Sequence, residues 1–265
     1  MRLKGKTAII TGAGQTPGAT IGNGRAMAML FAREGADILC VDRDEARAQE
    51  TVDMIAKEGG QAASFAANIV KAGAADAIVA AAQSRFGRID ILVNNVGIGG
   101  GGDGPAHRLE EDAFDRIVNI NLKGTWLMCR SAISAMREHG KGSIVNISSL
   151  ASIAGGNQAA YELSKAAVNR LTTSIAQSNA RYGVRCNAIL PGLMDTPMAV
   201  AGIAQASGQD EEAVRRERNA RVPLGGKMGT AWDTAYAALF LASDESQFIT
   251  GVLVPVDGGM SVRVG

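Results

Sequence analysis

Apolar runs of strand length alternate with longer helical patterns from one end of the chain to the other. Strand candidates, mostly unbroken apolar runs, occupy residues 7–11, 37–42, 62–67, 89–94, 143–149, 184–190 and 252–255. Between them, residues 24–34, 45–58, 73–86, 111–138, 158–182 and 230–242 carry helical patterns. A strand with one solvated face alternates apolar and polar side chains; these strands mostly do not. Strands apolar at successive positions bury both faces. That predicts an α/β protein with a doubly wound, mostly parallel seven-stranded sheet and helices on both sides. No Pro/Ser-rich linker and no solenoid-length repeat breaks the order, so residues 1–265 read as one domain. The least regular stretch is 198–224, where an Ala/Gly-rich part precedes a charge run from Asp210 to Arg221. It reads either as a solvated surface helix or as a lid over a substrate pocket.

Charge excludes some partners. Lys plus Arg (27) balance Asp plus Glu (26), so neither nucleic acid nor an anionic membrane surface is expected. No apolar run reaches the roughly 18 residues of a membrane span. Met1 to Lys6 lead straight into the first strand without an apolar signal core, which predicts a soluble, cytoplasmic protein. Cys40, Cys129 and Cys186 lie too far apart to suggest a disulfide framework or a metal cluster, and His107 and His139 read as isolated surface residues. Glycine is the anomaly, at 33 of 265 residues, and it clusters at particular places.

The first strand ends in Thr11-Gly12-Ala13-Gly14, and a helix begins near Gly22-Asn23-Gly24. A glycine turn between strand and helix lets backbone N–H groups approach a pyrophosphate, and the helix N-terminus supplies positive potential. The spacing departs from plain G-x-G-x-x-G. The second strand ends in Asp42, where a carboxylate can accept bonds from ribose hydroxyls and repel a 2′-phosphate. NAD is therefore expected over NADP, although Arg43 beside it could accommodate that phosphate.

Tyr161 and Lys165 stand one helical turn apart and share a face. A phenol titrates near ~10 and is a poor acid–base at neutral pH, but a neighbouring cation stabilises its phenolate. Shortly before them a strand ends in Ser148-Ser149, offering a hydroxyl to a substrate oxygen.

Together these residues resemble the classical branch of the short-chain dehydrogenase/reductase superfamily, essentially end to end. The motifs are Thr11-Gly12 with Gly22-x-Gly24, Asn94-Asn95-Val96-Gly97, Asn121-Leu122-Lys123-Gly124, Ile147-Ser148-Ser149, Tyr161-x-x-x-Lys165, Pro191-Gly192 with Thr196, and Val256-Asp257-Gly258-Gly259. The resemblance implies a Rossmann fold and hydride transfer between NAD(H) and a secondary alcohol or ketone. Tyr161 would be the general acid/base, with Lys165 lowering its pKa and binding the nicotinamide ribose. A serine would hold the substrate oxygen, and Asn121, interrupting its helix, would help hold a water that links Lys165 to solvent. Gly12, Gly22, Asn23, Gly24, Asp42, Asn68, Ile69, Asn94, Gly97, Tyr161, Lys165, Pro191, Gly192 and Thr196 would contact the cofactor. A homotetramer is implied as well, built on the long helices and the C-terminal strand.

Four departures stand out. Nine residues separate Gly12 from Gly22 where the family has three, so the phosphate loop must bulge outward. Asn68 replaces an Asp, and Val96 replaces an Ala. The family's Ser–Tyr spacing points to Ser148, whereas strand register points to Ser149; adjacent strand residues face opposite ways, and register favours Ser149. The few charges near the pocket favour a neutral substrate. The competing reading is a catalytically silent NAD-binding sensor or scaffold, against which the complete Asn121, Ser149, Tyr161, Lys165 set argues.

Overall fold

The computed structural model describes residues 1–263. In chain order the elements are β1 (Thr7–Thr11), α1 (Asn23–Arg33), β2 (Asp37–Asp42), α2 (Glu45–Lys57), β3 (Ala62–Ala66), α3 (Ala74–Phe86) and β4 (Ile91–Asn94). Next, α4 (Glu111–Val118) runs through a π-helical turn (Asn119–Gly124) into α5 (Thr125–Glu138). There follow β5 (Gly142–Ile147), α6 (Ala159–Asn179), β6 (Val184–Pro191), β7 (Met194–Asp195), α7 (Ala201–Ser207) and α8 (Glu211–Asn219). The order closes with β8 (Gly229–Thr230), α9 (Ala231–Ala242) and β9 (Leu253–Val256).

Seven strands form one sheet in the order β3-β2-β1-β4-β5-β6-β9, and every pairing in it is parallel. The unbroken apolar runs have a direct cause. Successive residues point to opposite faces, and each face has its own core. Ile10, Ile38 and Val93 pack with Met27, Phe31 and Leu239 on one side. Ile9, Leu39 and Leu92 pack with Ile78, Met128 and Met136 on the other. This is the α/β, Rossmann-like architecture expected from the pattern.

Differences fall at element ends. The strand read as 143–149 stops at Ile147, leaving Ser148 and Ser149 beyond the sheet, and the strand read as 89–94 begins at Ile91. The helix read as 111–138 is one rod interrupted by the π turn. Residues 198–224 hold two helices around a small apolar cluster of Val200, Ala204, Val214, Val222 and Met228. The charge run folds as surface helix α8, started by Asp210, whose carboxylate accepts the N–H groups of Glu212 and Ala213 at 3.1 and 3.2 Å. Beside it β7 and β8 pair as a two-stranded parallel ribbon, which no sequence pattern announced.

Candidate active site

Strand order reverses between β1 and β4, and such a switch point opens a crevice beyond the C-terminal strand ends. Here it is a cleft of about 360 Å³. Gly12 has φ 67°, and a Cβ on Gly24 would overlap the Gly12 carbonyl oxygen. Only glycine lets the first turn of α1 press onto the end of β1. That helix has no side-chain cap and no acidic residue in its first turn. Its leading residues Gly22, Asn23 and Gly24 line the cleft, and the buried Asn23 Oδ1 has no hydrogen-bond partner. A cradle that a Cβ would fill and an uncapped helix N-terminus fit a pyrophosphate-bearing group.

At the far end of the cleft stands Asp42, with Arg43 and Arg47. The carboxylate is aimed by backbone: Oδ2 accepts the Gly14 N–H at 3.1 Å and Oδ1 the Asp44 N–H at 3.1 Å. Asn68 and Ile69 line the wall, although the Asn68 amide oxygen accepts the Val70 N–H at 3.2 Å. Gly97 and Thr196 border the opposite end.

Asn94, Pro191 and Gly192 do not line this cleft, and Tyr161 and Lys165, also expected to meet the cofactor, stand just beyond its Gly97 end. Asn94 points into the sheet, where its Nδ2 donates to Asn146 Oδ1 at 2.9 Å; Asn95 and Val96 take the cleft positions instead. Pro191 ends β6 in register with Val256, and the Gly192 N–H donates to the Val256 carbonyl. Both therefore knit strand ends together. Sequence reasoning missed Gln15, Arg47, Ile120 and Pro197 as wall residues. Of these only Arg47, one turn into the helix after Asp42, carried a readable signal.

Where the cleft ends, Tyr161, Lys165 and the two serines begin. A Cβ on Gly97 would lie 2.9 Å from Lys165 Nζ, and one on Gly99 would lie 3.4 Å from the Tyr161 ring. The two serines diverge just past β5. Ser148 is buried and its hydroxyl donates to the Lys165 carbonyl at 3.1 Å. Ser149 Oγ accepts the Ala151 N–H at 3.1 Å and lies beside the Tyr161 phenol.

Lys165 is 3% exposed, its Nζ donates to the Ile147 carbonyl at 2.8 Å, and it stands 5.8 Å from the Tyr161 ring centre. Burial pushes the ammonium down to about 8. Burial also pushes the Tyr161 phenol above its ordinary value, and the neighbouring Ser149 hydroxyl only partly offsets this. The expected lowering of Tyr161 by its cation is thus not a property of these side chains by themselves. Desolvation raises the cost of both charged forms.

Asn121 sits in the π turn, fully buried. Its Oδ1 accepts the Ile98 N–H at 2.8 Å, while Nδ2 donates to the Ile98 carbonyl at 2.9 Å and to Ser164 Oγ at 3.0 Å. The Ser164 hydroxyl in turn donates to the Tyr161 carbonyl at 2.7 Å. Asn121 thereby ties the loop after β4 to the helix carrying Tyr161. Two further carboxylates were not foreseen. Asp103 accepts the N–H groups of Ala160 and Tyr161, and Glu162 Oε1 accepts those of Gly156, Asn157 and Gln158. Burial opposes ionisation of Glu162, but these three bonds together hold it below the usual carboxylate range.

A buried lysine, a tyrosine and a serine stand together at the end of a switch-point cleft in an α/β fold. Comparison with known proteins makes the class specific. Residues 18–261 match the family model described as enoyl-(acyl carrier protein) reductase. A solved structure titled a putative short-chain dehydrogenase/reductase from Burkholderia xenovorans superposes with a TM-score of 0.94 at 41% identity, covering 100% of this chain and 99% of that one. Levodione reductase superposes with a TM-score of 0.92 at 33% identity, covering 99% and 100%. The 3beta-hydroxysteroid dehydrogenase 1 of Eggerthella lenta is 38% identical across 99% of this chain and 96% of its own. The chain belongs to the short-chain dehydrogenase/reductase superfamily, and is an oxidoreductase of that family.

Proposed function

We propose that the protein interconverts a secondary alcohol and a ketone with NAD(H), using Tyr161 as general acid/base. The observation carrying this is the convergence of Ser149, Tyr161 and Lys165 where the cleft ends at Gly97 and Gly99. The residues fit the nucleotide: Gly12, Gly22, Asn23 and Gly24 would hold its pyrophosphate, Asp42 its adenosine ribose, and Lys165 the nicotinamide ribose. When bound, NAD(H) supplies or accepts the hydride.

The chain's own side chains handle the proton. Ser149 Oγ donates to the substrate oxygen, and the Tyr161 hydroxyl exchanges a proton with that same oxygen. Lys165, held at Ile147 and titrating at about 8, is matched to proton exchange near neutrality. Asn121 fixes the Ile98 backbone beside it. Apolar Met198 on the cleft wall and exposed Ile153 on the segment after Ser149 favour a neutral substrate. Residues 198–224 fit the role of pocket cover. Exposed Phe114 and Trp126 along α4 and α5, with Tyr236, Phe240 and Leu253 on α9 and β9, support two interfaces of a homotetramer.

The test follows nicotinamide absorbance with NAD⁺ and NADP⁺ in parallel over polyols, sugars and cyclic alcohols. Turnover with NAD⁺, abolished in Tyr161→Phe, is the expected result. Turnover that survives Tyr161→Phe would remove Tyr161 from the chemistry.

A further inference from the structure

The phosphate loop of this chain is six residues longer than the pattern of its family, and those residues have a fixed path. At the base of the lobe the Gln15 side chain spans its two ends: Nε2 donates to the Thr20 carbonyl at 3.1 Å, and Oε1 accepts the Gly22 N–H at 2.8 Å. At its tip lies Gly18. A Cβ there would sit 2.8 Å from Pro197 Cβ and 3.1 Å from Pro197 Cγ. Gly18 is not among the glycines with positive φ, so its backbone does not demand glycine; the approach to Pro197 does. Gln15 and Thr16 form one wall of the cleft, and Thr196, Pro197 and Met198 form another. The lobe therefore touches, at Gly18, the segment that leads into residues 198–224.

We propose that this lobe is a strap over the dinucleotide, stapled by Gln15 and latched by Gly18 on Pro197. The inference rests on the cofactor reading above. A nucleotide lying from Asp42 to Gly97 passes beneath the strap, so it enters or leaves only when Gly18 and Pro197 part. Because Pro197 begins the substrate-side segment, opening of that segment and release of the cofactor are coupled.

The test needs no substrate. Association and dissociation of NADH are followed by its own fluorescence in stopped flow for the wild type, Gly18→Val, Gln15→Ala and a variant lacking residues 16–21. A strap raises the barrier in both directions. Both rates should therefore rise, dissociation by about tenfold, while the dissociation constant changes less. Thermal unfolding of each variant checks that the fold is retained; if Gly18→Val does not fold, Gln15→Ala and the deletion carry the test. Unchanged rates would overturn the strap, and so would faster dissociation alone, which marks an ordinary wall contact. Failure of the wild type to bind either NADH or NADPH would sink the cofactor reading itself, and the strap with it.

Discussion

Asp103 caps the helix that carries Tyr161: its Oδ1 accepts the Ala160 N–H at 3.0 Å and its Oδ2 the Tyr161 N–H at 3.1 Å. The Ala159 N–H donates to the Gly104 carbonyl beside it. The glycine-rich loop after β4, which looks unstructured in sequence, is thus anchored to the first turn of α6. Asp103→Ala leaves those N–H groups without a side-chain cap, a loss of about 1 kcal/mol, or about 2–4 °C in a protein of this size. Turnover should fall further than this stability loss explains, with NADH affinity unchanged. Calorimetry beside steady-state kinetics makes the comparison.

The two adjacent serines should separate stability from chemistry. Ser149→Ala removes the hydroxyl beside the Tyr161 phenol and is expected to cost about 100-fold in turnover with little change in melting. Ser148→Ala removes a buried bond to the Lys165 carbonyl and should cost about 1 kcal/mol of stability. Equal kinetic losses in both variants would contradict this division.

Lys165 couples stability to pH. Its folded pKa, about 8, lies below the ordinary 10.5. Between those values the unfolded chain binds more protons, so this group's contribution to stability rises with pH across that window. The difference between wild type and Lys165→Met in urea unfolding should change by roughly 3 kcal/mol from pH 8 to 10.5. A flat difference would mean that the ammonium is not desolvated.

Asp42 should set nucleotide choice. Replacing it with Ser removes the charge that opposes a 2′-phosphate, while Arg43 and Arg47 remain on the same cleft wall. The ratio of kcat/KM values should move toward NADP⁺ by about tenfold or more, about 1.4 kcal/mol. No movement would shift the discrimination elsewhere.

Much of the site was readable because its determinants are local. Tyr161 and Lys165 share a helical face by spacing alone, and Asp42 ends its strand wherever the sheet lies. Asp103 was not readable: the α6 N-cap residue, Gln158, makes no side-chain cap, and the acceptor comes from 57 positions upstream in the chain. Asn94 was placed in the cleft by motif, yet its side chain turned out to serve the β4–β5 junction. Motif position gives the strand end, whereas the direction of the last side chain depends on the neighbouring strand.

By itself the sequence determined the parallel sheet and its two helical layers, since unbroken apolar strands require cover on both faces. It also determined the glycine cradle ahead of α1 and the shared helical face of Tyr161 and Lys165. Only the tertiary structure decided which serine meets Tyr161, how desolvation shifts Tyr161 and Lys165, and where the long phosphate loop comes to rest. Those properties depend on contacts between segments far apart in the chain, such as Gly18 with Pro197, and on the exclusion of water that packing alone creates.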